Sequence, residues 1–462
     1  MAAAAFVSSS SSLFLLLLSF CLVVLSRSQQ MNAQEEPVTD PVEAAAVFQV
    51  LQGINYEIDW KGMFPGDPCT GGPHGITCDI DSNNVYHVVE LNLGWVSDYV
   101  NNPPCSFNAS IHPAIFRFKH LKKLFFYKCF VHSPVSIPPE IIQLKDTLQH
   151  LTFQNNPSLV GTIPVELGNL TSLERLVLAE NSLEGAIPAE VGNLQTLRQL
   201  VLSHNRLAGR VPLTIGGLTS LVILDLSENK LTGEIPSQLY SLAELRKMDL
   251  SHNRLQGPIA DDICNLQALQ FLDLSYNNLS GRLPDKLGQL ASLQYLFLGS
   301  NLIGAELPNI WDSLGNLIAV GLSNSRYAGP IPASIGALQK LNSLSLDGNQ
   351  FSGRIPSNIG TLPNLYHMNL SANSLFGPVP FTSSLVGRLG RNLIVRNNTG
   401  LCYEHSMVSD VPDALGLAPC SSLSSSTQGG SPAGLPASNS VASFSSAVFH
   451  VFAILLLQMQ RL

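Results

Sequence analysis

The sequence predicts a solenoid, a stack of short strands around one continuous core, and three observations predict it. The spacing L-x-x-L-x-L-x-x-N recurs: Leu173, Leu176, Leu178 and Asn181 make one copy, and its last position returns at Asn205, Asn229, Asn253, Asn277, Asn301, Ser325, Asn349, Asn373 and Asn397. Each step is 24 residues; an earlier copy ends at Asn156, one residue further away, and Leu121, Leu124, Phe126 and Cys129 make another with Cys in the Asn place. Next, hydrophobic residues make up 45% of the chain and charged residues only 13%, about half the roughly 25% of an ordinary soluble domain. Salt-bridged helices therefore do not cover this surface. Last, the cysteines flank the repeat, with only Cys264 inside its long middle.

A fixed period over most of the chain is the leucine-rich-repeat signature. Each L-x-L is a short strand with both leucines inward, and the Asn side chain bonds backbone groups where the chain leaves the strand. No repeat can bury its leucines alone. Stacking about a dozen at roughly 4.8 Å each predicts a right-handed curved superhelix with a parallel concave sheet of some 55 Å. After each Asn comes a second element: Leu159-Val-Gly-Thr-Ile-Pro, Leu183-Glu-Gly-Ala-Ile-Pro, Leu207-Ala-Gly-Arg-Val-Pro and Leu231-Thr-Gly-Glu-Ile-Pro, then Leu279, Tyr327, Phe351 and Leu375 in the same frame. Ala260 departs from it in place of Pro, and so does Ala305, with Gly304 shifted one place earlier. That shift is expected to loosen the turn locally.

The ends carry their own signals. Leu13 to Leu25 has the length of a signal-peptide apolar region, although no Lys or Arg precedes it. Secretion makes the cysteines readable, because disulfides persist outside the cytosol. Without Cys21, seven remain, falling as Cys69/Cys78, Cys105/Cys129 and Cys402/Cys420 with Cys264 left as a buried thiol in the repeat core. No Cys-x-x-Cys and no His at ligand spacing supports a zinc site. After Cys420 a Ser/Gly/Pro-rich stretch predicts a solvated stalk, and Val441 to Leu457 a weak apolar tail, interrupted by serines and His450. This resembles a GPI-attachment signal, with a short membrane-spanning helix as the competing reading. At most five residues, Gln458 to Leu462, follow that tail, so no cytoplasmic catalytic domain is expected. The expected organisation is a signal peptide over 1–28, an N-terminal capping region over 29–95, repeats over 96–397, a C-terminal cap over 398–420, the stalk over 421–440 and the tail over 441–462.

Terminal repeats need caps. Asp40-Pro-Val-Glu43 reads as an N-cap, a first-turn Pro and a capping-box Glu opening a helix with Val42, Ala46, Val50 and Ile54 on one face, over the strand Val89 to Leu93. The L-x-G-x-I-P element is similar to the plant-specific class of extracellular leucine-rich repeats. Asp67-Pro-Cys69 and Gly75-Ile-Thr-Cys78 resemble the plant N-terminal capping domain, with His74 where that family usually has Trp, and Asn398-Thr-Gly-Leu-Cys402 resembles its closing motif. Asn84-Val-Tyr-His-Val-Val89, Lys119 to Cys129, Gly377-Pro-Val-Pro-Phe381 and Gly387-Arg-Leu-Gly390 resemble the plant receptor-like proteins of the Too Many Mouths and Piriformospora-insensitive type. The resemblance covers about residues 40 to 420. It implies a kinase-less cell-surface protein, anchored on the extracellular face of the plasma membrane, that binds a peptide or protein ligand and modulates leucine-rich-repeat receptor kinases in development or defence. The alternative is a secreted or wall-associated defence protein of the polygalacturonase-inhibitor type, which shares the repeat.

A net charge of −8, from 33 acidic and 25 basic residues, excludes a basic nucleic-acid-binding surface. No G-x-S-x-G, H-E-x-x-H, G-x-x-x-x-G-K or kinase signature occurs, so no enzyme and no cofactor is expected. Asp225, Asp249 and Asp273 align on successive strands, where stacked carboxylates could bind Ca²⁺ or act as acid and base, but L-D-L-S is also a common filling of the motif. The candidate contact residues are Phe271, Tyr276, Tyr295 and Phe297, four aromatics on two adjacent concave strands expected to form an exposed patch. Their charged neighbours Glu180, His204, Glu228, Lys247 and His252 read as a solvated face. Asn108, Asn169, Asn278, Asn369 and Asn397 are N-x-S/T glycan acceptors in a secreted chain, and a glycan on Asn369 would stand on the concave sheet.

Overall fold

The computed structural model describes residues 36–94, 104–404 and 415–420. The signal peptide, stalk and tail expected from the sequence lie outside these residues. Among the described residues no helix is long and apolar enough to cross a membrane.

A sheet of 15 strands runs through the described chain, and its repeat strands are parallel and stacked in sequence order. Register is strict: Ile223 pairs with Lys247, Lys247 with Phe271, Phe271 with Tyr295 and Tyr295 with Ala319. Every such step is 24 residues, so a residue's neighbour in the sheet is the one a period away. The inward side chains Leu224, Met248, Leu272 and Leu296 have no solvent exposure and join a single core. On the opposite side each I-P leads into a short 3-10 turn, such as Ser237–Ser241, whose preceding Pro236 holds φ at −61°. Ala260 adopts nearly the same backbone, at φ −73° and ψ 153°, so losing that proline disturbs nothing.

The asparagine ladder ties the layers together. Asn253 Oδ1 accepts from Leu231 N at 2.9 Å, while its Nδ2 donates to the carbonyls of Leu226, Leu250 and Ser251. Each Asn thereby anchors the second element of the preceding repeat, and those elements pair into a second parallel sheet. That sheet is in two pieces, six strands from Asn156–Thr162 to Asn278–Leu279 and five from Ala328–Pro330 to Ala418–Pro419. The break falls at Gly304-Ala305, where loosening was expected. Beside it Ser325 keeps the carbonyl bonds to Leu298 and Ser323, but its hydroxyl accepts from Asn301 N instead of reaching the amide of Ile303. Leu302 is 43% exposed, at the position that Lys230 and Arg254 fill in their repeats.

Both caps form, with corrections. The helix Pro41–Ile54 starts at Asp40, whose carboxylate accepts from Val42 N and Glu43 N. Glu43 does not close a capping box; buried against the first long strand, Val85–Gly94, it accepts from Val88 N at 2.7 Å and faces His87 Nδ1 at 3.3 Å. Val42 is 60% exposed, because 3.6 residues per turn put it about 140° round from Val47. The buried face is Ala46, Val47, Val50, Leu51 and Ile54. Disulfides join Cys69 to Cys78, Cys105 to Cys129 and Cys402 to Cys420, with Cα separations of 5.7, 5.1 and 4.9 Å. Cys264 is free as expected but only half-buried: it follows the core residue Ile263 in the 3-10 turn Asp261–Asn265, and that turn points its next side chain away from the leucines.

The last rung of the ladder lies one residue further on than the period predicts. Asn398, not Asn397, makes the last ladder bonds, to Leu375 N and to the carbonyls of Leu370 and Val395. The last turn carries an α-helix, Ser383–Leu389, in place of the usual 3-10 turn, which adds the extra residue. Asn397 is exposed at φ +58°, and Asn108, Asn169 and Asn278 are exposed too. Asn369 is half-buried, its Oδ1 held by the Ser371 amide and hydroxyl.

Candidate ligand-binding face

Each concave strand turns two side chains outward, and the strict register stacks them in columns. One column reads Ile223, Lys247, Phe271, Tyr295 and Ala319; the next reads Asp225, Asp249, Asp273, Phe297 and Gly321. Beyond each strand the chain turns through a left-handed residue, so Glu180, His204, Glu228, His252 and Tyr276 all have φ between +52° and +56°. Such backbone is costly for side-chain-bearing residues, and the Asn bonds beside it hold the turn in place.

The four aromatics come together, but they are not an exposed patch. Phe271, Tyr295 and Phe297 are only 6–8% exposed. Their rings cover one another, with centroids 6.0 Å apart for Phe271 and Tyr295 and 5.9 Å for Phe271 and Phe297. Tyr276 stands slightly apart, stacked on His252 at 4.0 Å, and His252 in turn faces Glu228 at 3.5 Å. The Phe297 ring lies across the following strand, where a Cβ on Gly321 would come within 2.7 Å of it. Past that ridge both columns shrink to Ala319, Gly321, Ser343 and Ser345.

The three aspartates form the ladder expected from the sequence. Each Oδ1 accepts from the hydroxyl of the serine two residues on, at 2.7 Å for Ser227, 2.7 Å for Ser251 and 2.6 Å for Ser275. Lys247, read from the sequence as part of a solvated face, is the correction: it is 8% exposed, its ammonium lying 2.8 Å from Asp225, 3.5 Å from Asp249 and 5.4 Å from the centre of the Phe271 ring. Sequence spacing could have flagged it, since a lysine one period from an aspartate's strand must land beside the carboxylates. Burial alone would push this ammonium down; the two carboxylates outweigh it and hold it above its ordinary value. Among the described residues no group of three or more acidic, His or Cys side chains is placed to hold a metal ion. An ammonium already fills the space a cation would take between the first two rungs.

Burial pushes Asp249 up to about 6, aided by Asp225 and opposed by Lys247. Burial and the charge of Asp249 push Asp273 up to about 8, against the bonds from Ser275, although one edge of Asp273 stays open to solvent. Both shifts are upward, so the folded chain holds these protons more tightly than the unfolded chain. The stability they represent is complete below about pH 4, the unfolded carboxyl value, and is lost as pH rises through about 6 and then about 8. Replacing Asp273 by Asn is therefore expected to raise the melting temperature at pH 8 and leave it nearly unchanged at pH 4. Asn369 already fills the equivalent place with the same serine bonds, so the variant fits. Thermal melts of both proteins across this range check it; parallel curves would show that the proton is not held there.

Family models described as leucine-rich repeats match residues 195–255, 268–290 and 340–362. Piriformospora indica-insensitive protein 2 of Arabidopsis thaliana is 38% identical over 157 residues, which cover 33% of this chain and 36% of that one. Protein TOO MANY MOUTHS of the same plant is 42% identical over 137 residues, 29% of this chain and 27% of that one. The matches thus span about a third of the relatives' own lengths. Among solved structures, the Arabidopsis receptor kinase HAESA, in complex with the peptide hormone IDA and the co-receptor SERK1, aligns with a TM-score of 0.62 at 25% identity, covering 81% of this chain and 64% of that one. A leucine-rich-repeat protein of Leptospira interrogans aligns with a TM-score of 0.52 at 32% identity, covering 64% and 70%. Period, ladder, paired sheets and caps agree with these likenesses: the chain belongs to the leucine-rich-repeat family and, within it, is similar to the plant receptor-like proteins.

Proposed function

We propose that this chain is a ligand-binding receptor-like protein of the extracellular cell surface, which signals through a leucine-rich-repeat receptor kinase or co-receptor and binds without catalysing. The observation that carries the reading is the cluster at the middle of the concave sheet, where aromatic rings and charged groups concentrate on neighbouring strands. Buried aromatics surrounded by polar groups are the residue types that dominate binding energy at protein contacts. HAESA, a relative in fold, is seen with a peptide hormone and a co-receptor, which supports a peptide or a receptor kinase as the partner here. A GPI anchor, glycans on the five acceptor asparagines and a location on the plasma membrane belong to the same proposal. The polygalacturonase-inhibitor-like alternative draws no support from relatives such as Receptor like protein 29 of Arabidopsis thaliana and the receptor kinase HAESA.

The test is capture of a panel of purified receptor-kinase ectodomains, with and without secreted peptides, by the full chain. Tyr295 and Phe297 are replaced together by serine, the residue their columns carry at Ser343 and Ser345, so that the sheet is undisturbed. Losing a true hot spot costs about 2 kcal/mol or more, roughly thirtyfold in affinity. Capture is expected to fall by at least that factor; equal capture by a folded variant would move the contact off this cluster.

A further inference from the structure

Within the concave face one cradle occurs twice, and only one copy holds its cation. In the first, the Lys247 ammonium sits between Asp225 and Asp249 and over the ring of Phe271 on the next strand. Advancing every partner by one 24-residue period gives Asp249 and Asp273 with Tyr295 on the next strand, held in the same parallel register. The position that should supply the cation is Phe271. The three carboxylates are therefore faced by a single ammonium, and among the described residues Asp273 has no basic group within ion-pair distance. Ser275 engages Asp273 Oδ1 through its hydroxyl and its amide.

We propose that this second cradle takes a basic side chain of the partner, seated over Phe271 between Asp249 and Asp273 and against Tyr295 and Phe297. The inference deepens the ligand-binding reading and rests on it. Charge complementarity selects the occupant, because a cation entering here takes the place of the proton that Asp273 otherwise holds up to about pH 8 and stands between two neighbouring carboxylates, as Lys247 does one repeat earlier. The rings favour arginine over lysine, since a planar, weakly hydrated guanidinium stacks on aromatic faces while its N–H groups reach a carboxylate. Burial pushes both carboxylates up and the neighbouring carboxylate adds to it, so the pair is left with a shortage of positive charge. An anionic or purely apolar partner group would leave that shortage in place.

The probe is N-acetyl-arginine methylamide, followed by saturation-transfer NMR on the full chain at pH 9, where Asp273 is ionised, beside its uncharged citrulline analogue. Saturable arginine binding in the millimolar range is expected, with the citrulline analogue at least about tenfold weaker. Asp273→Asn, whose fit Asn369 demonstrates, is expected to weaken arginine by a similar factor. Glu228→Gln, which removes a charge elsewhere on the face, should leave it unchanged. Equal binding of the two probes, undiminished arginine binding by Asp273→Asn, or no saturable signal up to about 50 mM would each overturn the proposal. No receptor kinase takes part, so this proposal and the receptor reading fail separately.

Discussion

Replacing Lys247 by methionine is expected to destabilise the repeat body by about 3–5 kcal/mol, the range found when one partner of a buried ion pair is removed. Methionine keeps most of the volume, so the cost comes from charge. Side-chain exposures of 10% for Lys247, 13% for Asp225 and 8% for Asp249 leave little water to solvate the orphaned carboxylates. Urea denaturation measures the effect at neutral pH. The loss should shrink as pH falls, because the carboxylates can then take up protons in place of the ammonium. Adding Asp225→Asn and Asp249→Asn to the methionine variant should recover most of the stability. A cost below about 1 kcal/mol would place this contact among exposed surface pairs.

Removing one rung of the asparagine ladder is expected to be nearly as severe. Asn277 is 5% exposed; its Oδ1 accepts from Leu255 N at 2.9 Å, and its Nδ2 donates to the carbonyls of Leu250, Leu274 and Ser275 at 2.9–3.1 Å. Alanine strips the buried Leu255 amide of this acceptor, at about 1–3 kcal/mol, while the carbonyls each keep another donor: Asn253 Nδ2 for Leu250, Asn301 Nδ2 for Leu274 and the His252 amide for Ser275. A total of about 2–3 kcal/mol is expected, read by urea denaturation and by faster hydrogen exchange at Leu255. Serine should be milder and more local. At Ser325 a hydroxyl keeps the carbonyl bonds but loses the amide two residues past the neighbouring Asn, and the second sheet stops there. Asn277→Ser should therefore speed exchange around Leu255 while sparing the concave strand Phe271–Asp273. Uniform loss of protection across the chain would mean that the ladder acts globally.

What the sequence determined by itself is everything that depends on the period. Because a residue stacks on the one 24 positions away, the spacing of Leu, Asn and Gly was enough to identify the strands, the inward leucines, the second element of each repeat and its weak point at Gly304-Ala305, although that the second elements pair into a sheet came only from the structure. The same logic aligned Asp225, Asp249 and Asp273 and brought Phe271, Tyr295 and Phe297 together. Cysteine placement at the ends was enough to pair the three disulfides. The tertiary structure decided what depends on contacts between columns and on how deeply they lie. Lys247 looked like one more surface charge until its ammonium was found between two carboxylates and a ring. The aromatics looked exposed because sequence gives the face a residue is on, whereas neighbouring rings set how much water reaches it. Glu43 left its cap for a distant strand, and an extra residue in the last turn moved the ladder from Asn397 to Asn398. Periodicity specifies which residues are neighbours, but burial and charge arise from side-chain packing among several neighbours at once, which no one-dimensional spacing encodes.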